Sequence, residues 1–436
     1  MTPRRGASLL TAVIGLLCGA AGCASGNPAP ASGSHLPSAT GGCSAAAQTG
    51  RELSASATAT TDLVPPPPDG APPGPFGVAV AAAGNWGFTT GLPIGQTTSR
   101  TVEPGSTTPP PPLPPGVGAE SGVDVLRLAS GHAPELARVI KVPGPTAGAA
   151  LSANGRLLLV AGGAGDATVI SVQAAEQGRR HAVLGKLVRP GGGTSDGAIE
   201  AAVTPDGRFV FVSLEDADEI AVFDLARAMA AGFRAGSGYI GTIRTGIAPV
   251  GLAVSPDGDW LYATSESESP GGNVGTLSVI SVARAESDPA ESVLASIPAG
   301  CSPVRVLTSA DGSVVWVAAR GSDALLAFSA AGLQARPSRA LLADVLVGKA
   351  PVGLALARGG TLIVAADSDR FAPGFPVSNL AVVNVADALA GRPALAGYLP
   401  AGRFPRDIAA SADGDILLVA DYASGQAEEV NAAALP

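Results

Sequence analysis

The chain has 436 residues, more than a single core usually supports, so it must be two domains, an array of repeats or one large ring. It is 46% hydrophobic, holds 58 glycines and 38 prolines, and only 14% of its residues are charged, which suits short strands joined by Gly/Pro turns and excludes a body of long helices. The formal charge is −9, and loss of Arg4 and Arg5 with a leader takes it to −11; that balance argues against a nucleic-acid partner, because phosphate backbones select clustered Lys and Arg.

In chain order, the first element is a leader. Met1 to Arg5 is basic, Leu9 to Leu17 is apolar but too short to span as a permanent helix, and Ala20-Ala-Gly-Cys23 places small residues before a cut, which together make the signal-peptide pattern. Cys23 directly after Ala21-Gly22 resembles a bacterial lipobox, with Ala20 standing where Leu is commonest. The resemblance implies a signal peptide over 1–22, diacylation of Cys23 and an anchor on an extracytoplasmic membrane face, since stable anchoring takes about two lipid signals. A plain signal peptide cut near Ala24 is the competing reading. Residues 23–52 are mostly Gly, Ala, Ser, Thr and Pro and cannot bury enough surface to offset their ordering entropy, so a flexible tether is expected. Within the body, 53–436, the Pro-rich stretch 103–115 reads as a polyproline II excursion on a surface loop.

The body is repetitive. Ser152-Ala-Asn-Gly155, Thr204-Pro-Asp-Gly207, Ser255-Pro-Asp-Gly258, Ser309-Ala-Asp-Gly312 and Ser411-Ala-Asp-Gly414 are turns flanked by apolar runs such as Val250–Val254 and Trp260–Ala263, which makes each unit a hairpin. Two degenerate copies lie at Ala83-Gly84 and Gly359-Gly360; the glycines at 84, 155, 207, 258, 312, 360 and 414 are 71, 52, 51, 54, 48 and 54 residues apart, and the long interval holds the Pro-rich stretch. A period of about 50 fits four strands of five or six residues with their loops. Third strands follow, as in Leu277–Val282 and Leu380–Val385, and a fourth leads to a Gly/Pro corner, as in Ile240–Gly258. This string resembles the YVTN-type β-propeller repeat. The resemblance covers about Asp62 to the C-terminus and implies an all-β, seven-bladed propeller of four-stranded antiparallel blades; the family includes both lactonase-like enzymes and binding propellers. The seventh unit ends after its third strand, so the segment Ser54–Val64 is expected to supply its outer strand and close the ring.

A propeller offers a ligand site at the mouth of its central channel. Four residues before each turn, or at the equivalent place, stand Gly77, Gly148, Glu200, Gly251, Arg305, Gly353 and Asp407. Glycine is the rule where seven backbones converge, so Glu200, Arg305 and Asp407 are the candidate ligand-binding trio, with Arg406, Asp367 and Asp369 on the same face. The loops there also carry Glu215, Asp216, Asp218, Glu266, Glu268, Asp421, Arg320 and Arg370, which predicts an acidic mouth with a few arginines, either a solvated rim with internal ion pairs or a small-ligand or cation site.

Lactonases of related propellers use a His, Glu and Arg group near the channel, so Glu200 and Arg305 are similar to two of the three. No histidine completes the set: His35 falls in the tether, and His132 and His181 belong to connections expected on the opposite face. With three His and no HxH or CxxC pair, a transition-metal site is not expected, and no cofactor is predicted. Ser265–Ser269 and Asp367–Asp369 have carboxylates for Ca²⁺ but lack the ordered spacing of a known loop. Cys18 leaves with the leader and Cys23 is acylated; Cys43 and Cys301 remain, either bridged or as two thiols. The functional expectation is a monomeric, membrane-anchored binding or scaffold propeller for a protein, glycan or small-molecule ligand; the alternative is a lactonase-type hydrolase, and no catalytic residue is assigned.

Overall fold

The computed structural model describes residues 43, 48, 50–54, 58–63, 74–91, 120–162, 165–192, 196–370, 372 and 377–436. The leader 1–22, Cys23, most of the tether with His35, and the Pro-rich stretch 103–115 lie outside the described residues.

The Ser255–Gly258 turn shows how the repeated motif makes a hairpin. Ser255 N donates to Trp260 O at 2.8 Å, and Gly258 N donates back to Ser255 O at 2.9 Å. The Ser255 hydroxyl accepts from Trp260 N at 3.0 Å while itself donating to Asp257, whose Oδ1 accepts from Asp259 N at 3.1 Å. The hydroxyl bond holds the Asp257 carboxyl below its ordinary range, and Gly258 takes φ +82°, a conformation that a Cβ disfavours. The strands leaving these turns are buried at every residue in Phe209–Leu214 and Val314–Ala319, because neighbouring blades cover both faces of each sheet.

Among the described residues, the strands form seven four-stranded antiparallel sheets. Six run in sequence order from inner to outer strand: the first holds Pro75–Val80, Trp86–Gly91, Glu120–Arg127 and Glu135–Pro143. The fold is therefore the expected seven-bladed propeller. One feature is absent from the sequence reading: in blades two to six a short helix follows the third strand, at Val172–Glu176, Leu225–Ala230, Val282–Ala285, Ala330–Ala335 and Val385–Leu389. Its N-cap is Ser171, Asp224, Ser281, Ser329 or Asn384, each accepting from the N–H three residues on. Those five caps were the available signal.

The seventh blade is closed by the N-terminal strand Thr58–Asp62, which pairs antiparallel with Gln426–Asn431 in the register Thr60 to Glu428. The chain before it is held too. Where a free tether is expected up to 52, Leu53 N donates to Tyr398 O at 2.7 Å, Tyr398 N to Arg51 O at 2.9 Å, and the Tyr398 hydroxyl to Gln48 O at 2.6 Å. Upstream, Cys43 is disulfide-bonded to Cys301 with 5.5 Å between Cα atoms. Residues 51–53 therefore lie on the outer strand of blade six, and the backbone partners they find there offset their low apolar content.

The closing blade also concentrates buried carboxyls. Its third strand carries Glu428 and Glu429, both buried, where blade six has Ala381 and Val382. Glu428 meets the buried Asp421 and the Thr58 hydroxyl; Glu429 accepts from Gly131 N at 3.2 Å and faces His132. Burial raises all three carboxyls, Glu429 to about 7, and the Asp421–Glu428 contact raises Asp421 further. Because these values lie above those of the unfolded chain, the stability is full at low pH and is lost as pH rises from about 4 through about 7. The melting temperature should accordingly fall between about pH 5 and 8, and the double variant Glu428→Gln/Glu429→Gln should make that fall shallower, the rest coming from other buried carboxyls such as Glu200 and Glu215; an unaltered slope in the variant would show that the closing blade does not contribute to it.

Candidate functional site at the channel mouth

The site is built on close approach of backbones. A Cβ at Gly77 would lie 2.7 Å from Ala147 O, at Gly148 2.6 Å from Ile199 O, at Gly251 2.8 Å from Val304 O and at Gly353 2.9 Å from Asp407 Cα. These four inner strands lean on the next blade with no room for a side chain. Glu200, Arg305 and Asp407 each stand on the blade after a glycine-bearing one. Seven is odd, so Gly77 meets Gly148. In six of the blades the register to the second strand shifts at this point, a bulge that re-aims the residue. Hydroxyls stitch the seams: Ser213 Oγ accepts from Glu200 N at 3.1 Å and donates to Val250 O of the next blade at 2.9 Å.

The trio meets across the ring. Arg305 Nη1 lies 3.1 Å from Glu200 Oε2, and Arg305 Nε lies 3.4 Å from Asp407 Oδ1. Asp407 Oδ2 also accepts from Val78 N at 3.1 Å, tying blade seven to blade one. Burial and the nearby charge of Asp407 raise Glu200 to about 7 against the opposing pull of Arg305. Burial alone would lower Arg305, but the two carboxylates outweigh it and raise it.

Around the trio stand residues from the loops between second and third strands. Arg320 Nη2 lies 3.0 Å from Glu266 Oε2, both buried. Glu215 is buried and pushed up by burial, then by Glu266 and Asp216. Arg406 lies over Phe76 with Cζ 3.4 Å from the ring centroid, and Arg370 lies over Phe404 at 5.8 Å. Burial, with repulsion from Arg305 and Arg370, pushes Arg406 down to about 9, and burial, with repulsion from Arg320, pushes Arg370 down to about 10.

The mouth is thus mixed rather than acidic, because several carboxylates turn away into the corners between blades. Asp218 Oδ1 accepts from Ala248 N at 3.0 Å and Asp323 Oδ1 from Ala350 N at 2.9 Å. Asp367, buried, accepts from Gly348 N at 3.2 Å, and Asp369 N donates to Lys349 O at 3.1 Å. The structure therefore brings Glu200, Arg305, Asp407 and Arg406 together but sets Asp367 and Asp369 into the corner between blades five and six. The two segments considered for Ca²⁺ have other partners, Glu266 on Arg320 and Asp367 on Gly348. Among the described residues no group of three or more His, Cys, Asp or Glu is placed to hold a metal ion. His132 and His181 lie in connections between third and outer strands, on the far face.

Sequence reasoning missed Phe76, Phe404 and Tyr422. The available signal was the corner motif: Ala248, Ser302, Ala350 and Phe404 all precede a proline and all take positive φ, from 43° to 54°, so Phe404 belongs to a series of constrained corners at the mouth.

A family model described as lactonase, 7-bladed beta-propeller, matches residues 117–372. Among solved structures, the hydrazine synthase of Kuenenia stuttgartiensis aligns with a TM-score of 0.60 at 15% identity, over 82% of this chain and 96% of that one. A chain of a mitotic checkpoint complex aligns with a TM-score of 0.58 at 13% identity, over 85% and 93%. At such identities the likeness is one of fold. No curated protein matches the sequence.

The trio makes a stability prediction. Arg305→Ala leaves Glu200 and Asp407 without their shared cation and should cost about 3 kcal/mol in denaturant unfolding, whereas Glu200→Gln, which still has a polar partner for Arg305, should cost less. Equal and negligible costs would remove the ion triad as a structural element.

Proposed function

This chain belongs to the seven-bladed β-propeller lactonase family, and we propose that it serves as a membrane-anchored, extracytoplasmic binding propeller that takes a ligand at the mouth around Glu200, Arg305 and Asp407. The observation that carries this reading is the convergence, on one end of one channel, of four arginines with Glu200, Glu215, Glu266 and Asp407. Buried charge at this density costs stability that an apolar plug would not, and a ligand site is a reason to retain it. The address rests on the basic start, the apolar run and Ala21-Gly22-Cys23, with support from the Cys43–Cys301 bridge, which suits an oxidising compartment. Among the described residues no helix is long and apolar enough to cross a membrane.

Lactone hydrolysis is the second reading, favoured by the family and by Glu200 lying at about 7, the range suited to a general base near neutral pH. It would use Glu200 to take a proton from water and Arg305 to meet charge developing on the carbonyl oxygen. Against it stands the commitment of Arg305 to two carboxylates.

Lactones, glycans and divalent cations screened by thermal shift, with lactone consumption followed in parallel, separate the two. Binding without turnover, lost in Glu200→Gln and Arg305→Ala, is the expected result; turnover abolished by Glu200→Gln would instead establish the hydrolase. For the address, labelled palmitate should enter the wild-type protein and not Cys23→Ser, and equal labelling of both would rule out the lipid anchor.

A further inference from the structure

We propose that the Cys43–Cys301 disulfide is a redox-sensitive latch on ring closure. While it is formed, the strand Thr58–Asp62 stays on blade seven; a dithiol that opens it loosens that strand and uncovers the edge of the blade. The latch is independent of whatever the mouth binds.

The closing strand has little of its own to hold it. It reads Thr-Ala-Thr-Thr-Asp and none of its five residues is buried, so apolar burial adds little to its ladder with Gln426–Asn431. Downstream it is joined to blade one, whose inner strand begins at Pro75. Upstream the bridge fastens it, since Thr58 stands only 15 residues after Cys43. Between the two, Gln48 N donates to Val347 O at 2.9 Å, and Arg51 and Leu53 bond to the backbone of Tyr398. Leu53 is the one buried side chain among the described residues of that stretch. With both flanks fixed, a strand that lifts off stays close to its edge and pairs again. Freeing the upstream flank lowers its local concentration there.

The two halves of the bridge differ in access. Cys43 is partly exposed, whereas Cys301 is 1% exposed, so an attacking thiolate meets Cys43 first. Attack there forms a mixed disulfide with Cys43 and expels the Cys301 thiolate. The second thiol of the reductant then displaces the Cys43 thiolate, the dithiol closes to its own disulfide with loss of two electrons, and its two protons end on Cys43 and Cys301. The blades do not need the bridge for their own pairing: Cys301 keeps its register with Val274, and its N–H keeps Ser322 Oγ at 2.9 Å. What changes is the last seam, where the third strand with its buried Glu428 and Glu429 becomes an unpaired edge whenever the closing strand leaves.

The test is hydrogen exchange read by peptide mass on the mature protein, oxidised and after dithiothreitol under native conditions, with alkylation of Cys43 and Cys301 reporting the state of the bridge. Cys43→Ser provides a permanently open form, and the reduced wild type serves in its place should that variant fold poorly. Opening should speed exchange in 58–62 and 426–431 about tenfold or more, leave Phe209–Leu214 of blade three unchanged, and be reversed by reoxidation. Three results overturn the latch. One is unchanged exchange in 58–62 with the bridge shown to be open. Another is a rise of equal size in Phe209–Leu214, which makes the bridge a staple for the whole ring. The third is a bridge that dithiothreitol does not open in the folded protein.

Discussion

The close approach of the inner strands is the constraint on which the rest of this molecule depends. At Gly77, Gly148, Gly251 and Gly353 one blade's backbone lies against the next with no space for a Cβ. That contact sets the radius of the ring, and with it the distance over which side chains from different blades can meet. Where a blade does carry a side chain at this position, the blade before it carries glycine. The result is an alternation that leaves room for three side chains at the axis, and the three present are two acids and an arginine. Their mutual pairing follows from the geometry: Arg305 is within 3.4 Å of both acids, and only a cation offsets the charge of two neighbouring carboxylates.

The corners between blades repeat this logic one layer up. The chain must turn sharply from an outer strand into the next inner strand, and at Ala248, Ser302, Ala350 and Phe404 it does so with a residue of positive φ before a proline, a combination in which the free N–H groups need acceptors. Asp218, Asp323 and Asp367 supply them. Part of the acidic composition of this face is therefore structural, and the arginines stand out against the remainder. The same corner in blade seven places Phe404 beneath Tyr422 and Arg370, so an element needed for the turn also shapes the mouth.

Closure of the ring joins the two ends of the chain. The N-terminal strand completes the last blade; before it, Arg51 and Leu53 bond to Tyr398 of blade six, and Cys43 is bridged to Cys301. Cys301 N donates to Ser322 Oγ at 2.9 Å, in the turn that bears Arg320. The covalent link thus ends beside the mouth rather than at a remote edge. The two buried glutamates of the last blade's third strand each face a different seam: Glu428 meets Asp421 and Thr58, whereas Glu429 meets blade one at Gly131.

The fold was legible in the sequence because it is encoded locally and repeated. Ser255-Pro-Asp-Gly258 and its relatives fix hairpins through bonds within five residues, and seven copies at a period of about 50 leave few architectures other than a ring. The positions of Glu200, Arg305 and Asp407 were legible for the same reason, as departures from glycine in an aligned series. What the sequence could not decide was which charges face one another. Asp367 and Glu266 look alike in the chain, yet one accepts from a corner N–H and the other pairs with Arg320, because the first ends a strand against Gly348 and the second does not. Phe76 lies 330 residues before Arg406 and meets it only because the ring closes between blades seven and one. Local hydrogen bonding determined the blades; closure in three dimensions alone decided the chemistry of the mouth.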